Sequence, residues 1–318
     1  MKRTKPDVVL KDFWRDNRRF ADLFNTVLFQ GKEVLKPDAL EEQDTEISGI
    51  IEMKNYRETL SRSRDVVKKM ADGFEFVILA EENQQHIHYA MPLRNMIYDS
   101  MGYLKECQEI TRKHRAAGEK LVGAEFLSGL KKEDRLHPII SLTIYYGEDN
   151  WDGPCSLQDM IIDMPEDIRA VFPDYSMNLL EVRNSGKYIF HNPDVQIVFE
   201  ISREAMAGHF DKIQEKYRDV QISSELLTVI GTMISSRELQ VMGENKEVDN
   251  VCTAIERLKR ENLEKGRSEG IEKGRIEGIE EGKILLVKTL LLNGLSTEEV
   301  KKYAEVTDQE IQKAKELS

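Results

Sequence analysis

Apolar positions recur at helical spacing near the start of the chain. In LKDFWRDNRRFADLFNTVLF (10–29), Phe13, Phe20, Leu23, Phe24, Val27 and Leu28 predict one amphipathic helix, stopped at Gly31. KPDALEEQDTE (36–46) reads as a polar, acidic loop, and EMKNYRETLSRSR (52–64) as helical or irregular and locally basic. The pattern then changes. DVVKKMA (65–71) and FEFVILAEENQ (74–84) are β-rich runs separated by Asp72-Gly73, the signature of a two-residue hairpin turn. With residue 71 opposite 74, paired residue numbers sum to 145. MPLRNMIYDSMGYLKECQEITRKHRAAGEKL (91–121) predicts a long helix, and HPIISLTIYYG (137–147) a mostly buried strand ended by Gly147. Residues 151–170 read as loop and helix, 177–183 and 195–202 as two more strands, and 203–260 as helical. Strands alternating with helices predict an α/β or α+β core.

The tail has another period. Glycines at 266, 270, 274, 278 and 282 fall every fourth residue, beside Ile271 and Ile279. Glycine disfavours helix, yet a stripe of glycines lets a second helix approach closely, so the segment reads as a self-associating helical stalk or a linker. Two short helices are expected after it, because Ser296-Thr-Glu-Glu and Thr307-Asp-Gln-Glu have the capping-box form. The expected division is therefore 1–260, a stalk or linker at 261–292, and a small module at 293–318.

Composition narrows the class. The 318 residues are 33% charged and 40% hydrophobic, with no apolar run long enough to span a membrane. The basic N-terminus has no apolar segment behind it, and three scattered cysteines (Cys107, Cys155, Cys252) exclude a disulfide framework. A cytoplasmic protein is expected. The net charge of −12 is the wrong sign for coating nucleic acid, but it is uneven. Residues 1–130 hold 21 basic and 22 acidic side chains, and residues 131–318 hold 25 and 36. Any phosphate-facing surface is expected in the first half.

The expected hairpin carries the chemistry. A register summing to 145 sets Asp65 opposite Ala80 and turns Asp65, Glu82 and Gln84 to one face. Two carboxylates on adjacent strands make an oxygen-rich site for a hard cation such as Mg²⁺, which activates water for attack on a phosphodiester. Alternatively, Asp65 begins a strand and Glu81-Glu82 is a solvated strand end. Arg57, Arg62, Arg64, Lys68 and Lys69, with the run Arg112-Lys113-His114-Arg115, read either as phosphate contacts or as ordinary solvated faces. His86 and His88 lack the further ligands a zinc site needs.

RSRDVVKKM, FVILAEENQ and HYAMPLRNMIYDSMGYLKE, with the later Tyr-x-Gly and Trp-Asp-Gly-Pro of HPIISLTIYYGEDNWDGPCSLQDM, resemble the Rpn family of recombination-promoting nucleases. The most specific parts are Glu82-Asn83-Gln84 and Met91, Arg94 and Tyr98. The resemblance implies a restriction-endonuclease-like PD-(D/E)XK core, a mixed sheet flanked by helices, ahead of the C-terminal helical tail. It implies a metal-dependent DNA endonuclease linked to recombination or mobile elements. Asp65, Glu82 and the Asn83 carbonyl would hold Mg²⁺ (Mn²⁺ or Ca²⁺ as substitutes), with Asp65, Glu82 and Gln84 catalytic. Arg94, Arg62 and Arg64 would be the phosphate contacts. Gln84 stands where most of the superfamily has lysine and supplies no positive charge. His88 stands where many relatives have an aspartate, and Asn25 occupies the lysine position of the helix motif. Asp22 fits the helix acid with its spacing off by one. The expected partners are DNA and a second copy of the chain through 261–292. The alternative is an inactive nuclease-fold protein that binds DNA or protein and oligomerises through the same helix.

Overall fold

The computed structural model describes residues 6–43, 46–53, 56–63, 66–70, 73–81, 87–147, 149–245, 251–304 and 306–316. Its first apolar segment folds as two helices instead of one, α1 (Pro6–Arg15) and α2 (Asn17–Val27). Asp16 makes the break: its extended backbone stops α1, and its carboxylate accepts hydrogen bonds from the amides of Arg18 and Arg19 at 2.9 and 3.0 Å. The expected acidic loop contains a short strand, β1 (Leu40–Glu42). The segment read as helical or irregular is also extended. β2 (Glu46–Met53) and β3 (Tyr56–Ser63) form an antiparallel two-stranded sheet in which Ile47 faces Arg62 and Glu52 faces Arg57. β-Branched Ile47, Ile50, Ile51 and Thr59 suit that extended pairing.

β4 (Val66–Met70) and β5 (Glu75–Glu81) make the expected antiparallel pair in a different register. Val66 faces Ile78 and Lys69 faces Glu75, so paired numbers sum to 144. Three residues, not two, separate the last pair: the Met70 amide donates to the Phe74 carbonyl, and the Gly73 amide to the Met70 carbonyl. Gly73 takes φ +95°, where a side chain is strained. A one-residue slip exchanges the faces of a strand. The shared face expected for Asp65, Glu82 and Gln84 belongs to the other register, and these three lie outside the described residues.

α3 (Met91–Ala116) and α4 (Ala124–Ser128) lie in the connection from β5 to the parallel strand β6 (Ile139–Tyr145). After α5 (Glu166–Arg169), β7 (Asn178–Glu181) pairs parallel to β6. The main sheet is five-stranded and mixed, in the order β1-β4-β5-β6-β7. Four helices follow: α6 (Pro193–Met206), α7 (Phe210–Tyr217), α8 (Ser224–Met233) and α9 (Arg237–Glu244). The expected strand at 195–202 lies inside α6. Asn192 caps that helix through the amides of Asp194 and Val195, and Pro193 fits its first turn. Its β-rich composition reflects burial of Val195, Val198, Phe199 and Ile201, not extension.

Helices cover both faces of the sheet. Phe76 meets Phe24 of α2 at 5.3 Å between ring centroids, and Trp14, Phe190 and Phe199 continue this aromatic layer. The next residue, Val77, packs on the other face with Val67 and with Met91 and Tyr98 of α3.

The chain divides into two units, Met1–Ile255 and Glu256–Ser318. Helix α10 (Val251–Leu292) includes all five periodic glycines and leads to α11 (Thr297–Ala304) and α12 (Asp308–Glu316). Both capping boxes are formed. Ser296 and Thr307 donate their amides to Glu299 and Glu310, whose own amides return to the two hydroxyls at 3.3 Å. Val287, Val300, Val306, Ile311 and Ala314 close a small core. Among the described residues no helix is long and apolar enough to cross a membrane.

Candidate functional site

Open sheets with parallel strands bind ligands beyond the strands' carboxyl ends, where connections diverge. Here those ends are aligned: Glu81 of β5 is in register with Tyr145 of β6, and Tyr145 with Glu181 of β7. The Trp-Asp-Gly-Pro segment is fixed to this edge. Trp151 donates its amide to the Glu181 carboxylate at 2.9 Å and its indole N–H to the Gly153 carbonyl at 2.8 Å. Its ring meets Tyr145 edge-on at 5.2 Å. A Cβ on Gly147 would fall 2.2 Å from the Tyr145 hydroxyl, and one on Gly153 2.9 Å from Ile87. Those close approaches account for the glycines of Tyr-x-Gly and Trp-Asp-Gly-Pro.

The same segment reaches the approach to α3. Tyr89 donates its hydroxyl to Asp152 at 3.3 Å, and the Asp152 charge raises the pKa of the phenol. Next to this contact, His88, Ala90, Leu93, Arg94, Ile97 and Tyr98 line a recess of about 360 Å³. Arg94 sits on the first turn of α3. Its Nε donates to the Tyr98 hydroxyl at 3.1 Å, and its guanidinium lies 5.6 Å from that ring's centroid, which orients the cation. The start of α3 adds the positive end of a 26-residue helix dipole. A guanidinium and a helix N-terminus together suit an anion.

Asp65, Glu82, Asn83, Gln84 and Arg64 lie outside the described residues. Arg62 lies on β3, in the two-stranded sheet and not on the strand that follows it. Asp22 lines a separate cleft of about 710 Å³ with Asp16, Arg19, Asn25, His191 and Asp194. Its two carboxylate oxygens accept the amides of His191 and Asn192, each at 3.0 Å, so it ties α2 to the start of α6. Asn25 is likewise committed to the loop after α2, accepting the amides of Val34 and Leu35 and donating to the Leu35 carbonyl. Of the expected site residues with described side chains, Arg94 and Asp22 are therefore held in different concavities.

Two basic positions change meaning. Lys68 is buried at 1% exposure, and its ammonium donates to the Arg15 carbonyl at 2.5 Å and to Asn17 Oδ1 at 2.6 Å. Burial lowers its pKa, and it closes the junction of α1 and α2. His114, from the basic run on α3, is bonded to Asp134 and Glu119, and those bonds raise its pKa. Sequence reading missed both roles: Lys68 finds its partners 53 and 51 residues away, and His114 is joined to Asp134 across 20. Among the described residues no group of three or more His, Cys, Asp or Glu side chains could hold a metal.

No family model, curated protein or solved structure matches the chain.

Proposed function

We propose that the chain is a metal-dependent DNA endonuclease with a restriction-endonuclease-like core. One observation carries the reading. β5, the central strand of the mixed sheet, ends at Glu81 in register with the end of β6, the sequence Glu82-Asn83-Gln84 comes next in the chain, and the Arg94 recess follows. The two carboxylates Asp65 and Glu82, with the Asn83 carbonyl, all outside the described residues, would supply the oxygen donors that Mg²⁺ takes. Such an ion supplies a nucleophilic water at neutral pH and a counter-charge for phosphate. Gln84 would orient that water, and Arg94 would hold a phosphate oxygen. The protein acts in recombination or on mobile elements, in the cytoplasm.

The glycine-periodic stretch of α10 serves as the contact between copies. Five glycines disfavour an isolated helix by about 1 kcal/mol each relative to alanine, and a partner helix offsets that cost.

The test of the nuclease reading is cleavage of duplex DNA with Mg²⁺ or Mn²⁺ by the wild-type chain, Asp65→Ala and Glu82→Ala. Each substitution is expected to lower the rate at least ~100-fold. Equal cleavage by all three would remove the site. DNA binding without cleavage by the wild type would favour the inactive, nucleic-acid-binding alternative, to which Gln84 in place of lysine already inclines.

A further inference from the structure

Four side chains along one side of α3 hold the segment that follows it. The Tyr103 hydroxyl accepts the Ile139 amide at 3.1 Å, and Glu106 accepts the His137 amide at 3.0 Å and also meets the His137 ring. Thr111 donates its hydroxyl to the Gly129 carbonyl at 2.9 Å. His114 ends the row. Its Nδ1 lies 2.5 Å from a Glu119 carboxylate oxygen and its Nε2 2.8 Å from one of Asp134.

The His114 contact is chemically unlike the other three. A neutral imidazole has one N–H and one lone pair, whereas the imidazolium has two N–H groups, and a carboxylate can only accept. A ring with a carboxylate at each nitrogen is therefore satisfied only while it carries both protons. Neutral His114 would turn a lone pair towards Glu119 or Asp134, and that arm would be repelled. His137 offers the contrast: its ring meets one carboxylate, through Nδ1, and a neutral tautomer with its proton there keeps the bond. Among the described histidines, His114 alone has both ring nitrogens on carboxylates.

The charges around the ring are few. Lys131 pairs with Glu119 at 2.8 Å and gives its backbone amide to the Asp134 carboxylate at 2.6 Å. Glu125 acts on Lys131 from farther away. On α3 itself Arg112, Lys113 and Arg115 are exposed, while the His114 side chain is only 14% exposed. Hydrogen bonding to Asp134, then to Glu119, raises the His114 pKa. A raised histidine value sets the direction: the contact contributes in full below about pH 6.5 and is lost as pH rises through the raised value.

We propose that His114 is a proton-operated clasp, which fixes residues 119–134 to the end of α3 while both ring nitrogens carry protons and releases them when one proton leaves. The Tyr103 and Glu106 contacts keep residues 137–139 in place, so the opening is local and β6 stays paired. The clasp depends on neither the nuclease reading nor α10.

The experiment is hydrogen exchange of the full-length chain, read by mass spectrometry from about pH 5 to about pH 9 with each rate divided by the intrinsic rate at that pH. In the wild type, protection of peptides within 119–134 is expected to fall at least ~10-fold as pH rises, with β6 peptides unchanged. His114→Gln, which has no proton to lose in this range, should be flat and low. His114→Arg, permanently charged and able to donate to both carboxylates, should be flat and high. Glu119→Gln/Asp134→Asn removes the demand for a second proton and should also be flat; it decides the matter if loss of β6 protection shows that a His114 variant has unfolded. A wild-type profile no steeper in 119–134 than in β6 would overturn the proposal. So would the wild-type fall persisting in His114→Gln or in the carboxylate pair, which would assign the titration to another group.

Discussion

Glycine serves opposite ends in the two units. At Gly147, Gly153, Gly231 and Gly243 of the first unit it lets neighbouring groups approach where no side chain fits. A Cβ on Gly243 of α9 would lie 1.9 Å from the Thr228 hydroxyl and 2.5 Å from the Ser224 carbonyl of α8. In the second unit, Gly266, Gly270, Gly274, Gly278 and Gly282 have no atom within 4 Å of an added Cβ among the described residues. The helix carrying them is exposed along that stretch. The first set is explained by contacts within the chain. The second is explained by the α10 contact proposed above, which would put another helix where the glycines leave room.

Three measurements bear on this contrast. Gly243→Ala should be the most damaging, lowering stability by about 3 kcal/mol in chemical denaturation, because backbone as well as side chain must shift. A neutral result would mean that α8 and α9 separate easily, and the contrast would fail on its first side. Gly73→Ala should cost about 2 kcal/mol from two sources: positive φ, and a Cβ 2.1 Å from the His137 ring. In a His137→Ala background the cost should fall to about 1 kcal/mol, leaving the backbone contribution alone. An unchanged cost would show that the ring already yields. The smallest effect belongs to the open glycines. Gly270→Ala/Gly274→Ala should favour the helix by about 1 kcal/mol per site while weakening self-association, read by circular dichroism and light scattering. Stronger helix with undiminished oligomeric mass would remove α10 as the contact.

Much of the fold was legible in the sequence, and the failures have physical causes. β6, the long helix α3 and both capped terminal helices follow from local signals that sequence carries directly. Asp16 was hidden within an apolar period although its type is that of a helix cap. The run at 195–202 looks extended because burial, not secondary structure, selected its residues, and the Asn192-Pro193 start signal was the better guide. Asp-Gly marked the hairpin correctly but did not determine its loop length, and one residue was enough to change the register. Of the candidate site, Arg94 was legible as the cation that opens α3. Lys68 was misread because its partners lie 53 and 51 residues away, and the tie of Asp22 to residues 191 and 192 was hidden for the same reason.

The ties of α2 have a consequence for synthesis. Arg19 bonds Asp194 and Glu225, and Asp22 bonds the amides at 191 and 192. Phe24 meets Phe76 early, but Trp14, which packs on Phe199, and Arg19 must wait for roughly 200 further residues to leave the ribosome. At about 5–20 residues per second that delay is on the order of 10–40 s. The first helices made are completed late, and during that interval the uncovered Trp14 face offers a chaperone a binding site.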